Sequence, residues 1–287
     1  MPLPRIRHDP TVVKLRWVML AVILADMGLT LAGQPPAFWS EPASAIRGDG
    51  LGIHNLTNHS FEFFLAAGWP AYLACFTVYA ASCLLMASVL PRGAALVLLC
   101  TVTLSHLFTG TNWLAIRWHA GMLASPIYGL GIGLPLTLVV ARGARPGSEP
   151  GRHLAWIAAA TLLVDGLVTL LGQPGSYWSD PGTAYEGNAV SRYFLVHGWW
   201  AFAAYDLIYA FGLYLGIRAL PWFVGMVVGF YFLVVSFNGA SNWLFFFWRL
   251  GLPAVLAYGV LVSAALAIFV FALEPRPAAV LGSVPPG

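Results

Sequence analysis

Charge is what this sequence has least of. Lys, Arg, Asp and Glu make up 9% of its 287 residues, where a soluble domain carries roughly a quarter. With 59% hydrophobic residues and a mean hydropathy of +0.77, that scarcity excludes an ordinary soluble globule. Cysteine is nearly absent too: Cys75, Cys83 and Cys100 lie in apolar stretches with no CxxC or His-paired spacing. A disulfide framework and the usual zinc patterns are thereby excluded, and buried inert thiols are expected. No P-loop, GxGxxG, GxSxG or HExxH occurs, so nucleotide and familiar hydrolase chemistry have no support, and no cofactor is implied. A net charge of only +3 without a basic tail argues against nucleic acid as a partner.

What is present is long apolar runs, near residues 15–33, 63–89, 94–111, 121–141, 154–172, 194–217, 221–238 and 251–273. About 20 apolar residues suffice to cross a bilayer as a helix, and these runs do not alternate as barrel strands would. The expected fold class is an all-α polytopic membrane protein with eight transmembrane helices, its partner the lipid bilayer. Ten basic residues fall on one side of that arrangement and four on the other, which predicts cytoplasmic termini. The expected setting is a bacterial inner (plasma) membrane. The basic N-terminus and first apolar run resemble a signal peptide, but the features of that run recur in the fifth, so a permanent span is expected.

The recurrence is specific. AGQPPAFWSEP at 32–42 is rewritten as LGQPGSYWSDP at 171–181, an offset of 139 that also aligns Asp26 with Asp165 and Thr30 with Thr169. Beyond the outer loop the offset becomes 130, pairing Gly68-Trp69 with Gly198-Trp199, Tyr79 with Tyr209, Asn112-Trp113 with Asn242-Trp243 and Tyr128 with Tyr258. The expectation is two tandem parallel four-helix repeats, residues 1–141 and 153–287, joined by a cytoplasmic linker at 142–152.

A membrane-buried aspartate costs about 2.5–3.5 kcal/mol on the insertion scale, so Asp26 and Asp165 need a reason. One reading is a carboxylate pair near the pseudo-twofold axis that binds a cation or a proton. The other, favoured by symmetric retention, is that each accepts hydrogen bonds within its own bundle, from Asn112 and Asn242 or the loop backbone. Asp206 has no acidic counterpart and ranks with them as a functional candidate. Gln34, Trp39, Gln173 and Trp178 belong to the repeated loop phrase, which reads either as a lid or as a helix stop with an aromatic anchor. Gly33 and Gly172 fit left-handed caps there. The second half carries Glu186, His197 and Asp206 where the first has Arg47, Ala67 and Phe76, and the first carries His106 where the second has Ser236. A bundle hydrogen bond is the commoner role for His106. His54, His59 and the sequons at Asn55 and Asn58 read as a solvated loop. Gly129/Gly133, Gly212/Gly216 and Gly225/Gly229 predict close helix packing.

Together these features point first to an outward-facing polar site between two repeats, transporter-like or binding a small molecule. The alternatives are a membrane-embedded enzyme acting on a lipid-like substrate at the outer face, with His106 or His197 as acid and base, or a structural subunit of a membrane complex.

Overall fold

The computed structural model describes residues 9–43, 59–117, 123–141 and 150–272. Arg47, His54, Asn55, Asn58 and most of the expected linker, residues 142–149, lie outside these ranges.

The described residues form ten α-helices and no strand. They are α1 (Pro10–Ala32), α2 (His59–Ala66), α3 (Trp69–Val89), α4 (Arg92–Asn112) and α5 (Ala124–Ala141), then α6 (Pro150–Leu171), α7 (Ala189–Val196), α8 (Trp199–Ala219), α9 (Trp222–Asn242) and α10 (Gly251–Ala272). Seven of these are long and apolar enough to cross a membrane. In α5 the apolar stretch Pro126–Leu138 is shorter. Large side chains such as Trp17, Val78, Leu85, Ile208, Phe211, Leu261 and Ile268 are exposed along the shafts. Helices apolar all round, inside and out, are those of a membrane protein rather than of a water-soluble bundle.

Punctuation follows local chemistry. Asp9 caps α1 by accepting hydrogen bonds from the Thr11 and Val12 backbone at 2.8 and 3.1 Å, with Pro10 pre-set for the first turn. Leu90-Pro91 and Leu220-Pro221 are extended dipeptides that separate α3 from α4 and α8 from α9. The apolar runs at 63–89 and 194–217 are not single spans. Each breaks at a glycine, Gly68 with φ 104° and Gly198 with φ 110°, into a short helix and a 21-residue one. That left-handed backbone is open to glycine and costly for other residues. After Asn112 and Asn242 the helices run on into π-helical turns, Trp113–Arg117 and Trp243–Phe247.

The helices of 10–141 recur in order and nearly in length in 150–272, but each set is not a closed bundle. Helix α5 packs chiefly along α9, and α10 packs chiefly along α4, so the last helix of each region lies on the penultimate helix of the other. Gly129 and Gly133 make the first contact close: a Cβ at Gly133 would stand 3.3 Å from the Tyr231 backbone nitrogen. Gly225 and Gly229 likewise abut Ile217 and Leu154, whereas Gly212 and Gly216 meet nothing within 4 Å and do not serve close packing. One apolar core, from Val12 and Met19 through Leu99 and Phe237 to Phe269, therefore runs across both regions, with a smaller cluster between α6 and α8.

Candidate functional site

The repeated phrase folds the same way in both regions and fixes the helix ends above the site. After α1 and α6 the chain makes a short 3₁₀ turn, Pro36–Trp39 and Gly175–Trp178, begun by a proline that cannot extend the helix ladder. Gly33 and Gly172 are not left-handed caps. Neither has positive φ, and the requirement is one of space, since a Cβ at either would lie 2.6 Å from the ring of Trp113 or Trp243. Trp39 and Trp178 are exposed, while the residues before them, Phe38 and Tyr177, are buried and form the anchors. Gln34 Nε2 and Gln173 Nε2 donate to the carbonyls of Thr30 and Thr169. Gln173 also clasps the Tyr185 backbone from both sides, donating to its carbonyl at 2.9 Å and accepting from its N–H at 2.8 Å. That clasp brings the segment carrying Glu186 down over the helix ends.

Beneath it lies a cavity of about 440 Å³. Its wall is mostly α6, α8 and α9, closed on one side by Thr111, Asn112, Ala115 and Pro126 from the end of α4 and the start of α5. Asp165, Asp206 and Glu186 all line it, and among the described residues no Lys, Arg or His does. Asp165, Asp206 and Ser236 each stand about two turns in from Leu171, Trp199 and Asn242, at a common depth.

Glycines make room for the acids. A Cβ at Gly239 would come 2.5 Å from Asp165 Oδ2, and one at Gly166 would collide with the Asp206 carboxylate. Asp206 is only 8% exposed. Neither aspartate has a hydrogen-bond partner among the described residues. Glu186 Oε1 accepts from the Asn188 N–H at 2.7 Å. Burial raises the Glu186 carboxyl above its ordinary range, opposed by hydrogen bonds from the Asn188 and Gly187 backbone and from the Trp243 indole. Tyr205, Tyr209 and Tyr231 supply an aromatic wall, with Tyr205 stacked between Phe194 at 4.3 Å and Tyr209 at 5.7 Å.

Asp26 is elsewhere, so the three aspartates do not converge. It is 3% exposed, with His106 Nδ1 at 2.7 Å from its Oδ2 and Thr109 Oγ1 donating to the same oxygen at 2.6 Å. The His106 ring lies against Phe76 and Tyr79, at 5.9 and 5.5 Å between centroids. Asn112 and Asn242 do not reach the aspartates: their side-chain amides donate to Phe108 and Asn238 of their own helices. His197 is exposed at the end of α7, bonded to the Tyr193 carbonyl and off the cavity. Sequence reasoning overlooked Gly166, Gly239, Tyr205 and the buried anchors Phe38 and Tyr177. The signal for the glycines was available, because Met27 and Thr109 stand at the aligned positions.

Compared with family models, curated proteins and solved structures, the chain matches none.

Proposed function

We propose that the protein is a transporter-like, eight-span membrane protein of two parallel repeats whose second region binds a small cation from the outer side. The observation that carries this reading is a cavity that three carboxylates line, with no basic side chain among its described residues. In a low-dielectric site such acids repel one another and are neutralised by protons or by a bound cation. The tyrosine wall suits a cation as well, since aromatic faces attract positive charge.

The span count of eight includes α5. Its 18 residues extend about 27 Å, close to the hydrocarbon thickness, and it lies along α9 as α10 lies along α4. An even number keeps both termini on the basic, cytoplasmic side and puts Glu186 at the outer mouth. The enzyme reading has less to draw on, because neither His106 nor His197 lines the cavity.

The test is thermal unfolding of the purified protein with a panel of sodium, potassium, ammonium, tetramethylammonium and imidazolium chlorides, followed by uptake of any stabilising cation into proteoliposomes. At least one cation stabilises the wild-type protein and not an Asp165→Asn/Asp206→Asn variant. A panel that treats the two proteins alike overturns the proposal.

A further inference from the structure

The cation reading leaves its ligand chemistry open, and the first region offers a guide to it. There the aspartate already holds a tethered imidazole ring: His106 Nδ1 lies 2.7 Å from Asp26 Oδ2, Thr109 donates to the same oxygen, and Phe76 and Tyr79 flank the imidazole. At the aligned positions the second region has Asp165 for Asp26, Ser236 for His106, Gly239 for Thr109, Asp206 for Phe76 and Tyr209 for Tyr79. All five line the cavity. The imidazole and the threonine hydroxyl are gone, an aromatic wall is kept, and a carboxylate stands where a phenyl ring stood.

Resting on the proposal of a cation site, we infer that the cavity receives a small planar cation with N–H donors on more than one edge, of the imidazolium type. It occupies the place corresponding to the His106 ring and bridges Asp165 and Asp206. Ser236 supports this independently of the acids. Its side chain is 1% exposed, lines the cavity and has no hydrogen-bond partner among the described residues, so a buried hydroxyl awaits a ligand atom. A single metal ion fits poorly, since no group of three His, Cys, Asp or Glu side chains among the described residues is placed to hold one. Two carboxylates can be bridged by a ring with N–H donors on opposite edges.

Binding of imidazole to the purified full-length protein tests the inference at about pH 6, where imidazole is mostly protonated. Wild-type protein binds imidazolium at least about tenfold more tightly than 1,3-dimethylimidazolium, which keeps the ring and charge but lacks N–H donors. Ser236→His, which supplies a tethered ring, weakens imidazolium binding by a similar factor and raises the unfolding temperature without ligand. His106→Gly loses thermal stability that added imidazole restores. The dimethyl comparison uses only wild-type protein and stands if Ser236→His fails to fold.

Equal binding of the two ring cations, or undiminished imidazolium binding by folded Ser236→His, overturns the inference. So does a protein that binds sodium or tetramethylammonium through Asp165 and Asp206 but not imidazolium, and that result leaves the cation site standing. A protein that binds no cation at all removes both.

Discussion

In the first region Asp26 is enclosed by His106 and Thr109, with Phe76 and Tyr79 packed behind the imidazole. In the second, Asp165 leans on Gly239 at the matching depth and faces a cavity that also holds Asp206 and Glu186. The described helices and the turns after α1 and α6 hardly differ, so the scaffold tolerates either outcome. What separates them is a handful of side chains on the two helices that face the aspartate. Filling the space with a ring and a hydroxyl gives one carboxylate oxygen, Asp26 Oδ2, two internal partners. Removing both, and setting glycines opposite the acids, yields an open and strongly acidic pocket. A buried carboxylate therefore has no fixed meaning here: its neighbours make it structural or available.

The contrast can be broken most forcefully at His106. His106→Ala strips a buried carboxylate of its partner and should cost about 3 kcal/mol of stability. Ser236→Ala at the aligned position removes a hydroxyl with no partner and should cost nothing measurable. Denaturant unfolding of both variants in one detergent decides it, and equal losses would mean that the regions are not opposed.

Next in size is the effect on binding. Asp165→Asn combined with Asp206→Asn should weaken the affinity of the stabilising cation by at least about 30-fold, while Asp26→Asn leaves that affinity unchanged and lowers stability instead. Calorimetric titration reads both, and sensitivity to Asp26 would move the site into the first region.

Gly166→Ala sharpens the role of the glycines. Its Cβ collides with the Asp206 carboxylate and should cost about 1–3 kcal/mol by overpacking. Adding Asp206→Ala should recover most of that loss in a double-mutant cycle, and additive losses would deny the contact.

Gln173→Ala releases the clasp on the Tyr185 backbone and should cost about 1–2 kcal/mol, with faster proteolysis between residues 180 and 190. Unchanged proteolysis would show that the segment is held by other contacts.

The smallest effect expected is a slope with pH. The folded Glu186 carboxyl lies above its reference value of 4.5, so the protonated form is the one the fold favours. Its contribution to stability is complete below that reference value and declines as pH rises through the raised folded value. Without added cation, Glu186→Gln should flatten this part of the stability profile. An identical slope in the two proteins would assign it to another group.

Much of this architecture was legible in composition and order. Apolar runs gave the helices, because backbone groups in lipid must bond within their own segment and about 20 apolar residues satisfy that requirement whatever their neighbours. The doubled phrase marked two stretches that fold alike, the 3₁₀ turns after α1 and α6, and the unpaired Asp206 and Glu186 marked the second as different. The runs at 63–89 and 194–217 misled because Gly68 and Gly198 turn the chain without interrupting its hydrophobicity. The crossing of α5 and α10 was hidden for a similar reason, since an apolar helix carries no mark of which partner it will choose.

The sequence by itself determined that the chain is built of apolar helices and that each region keeps one aspartate two turns from a helix end. Only the tertiary structure decided that Asp26 meets His106, that Gly239 and Gly166 lie opposite Asp165 and Asp206, and that Asp165 and Asp206 share one cavity with Glu186. Helix formation is a local matter of hydrogen bonds four residues apart. Which side chains face each other across helices depends on rotation and packing, and those are set by contacts between residues far apart in the chain.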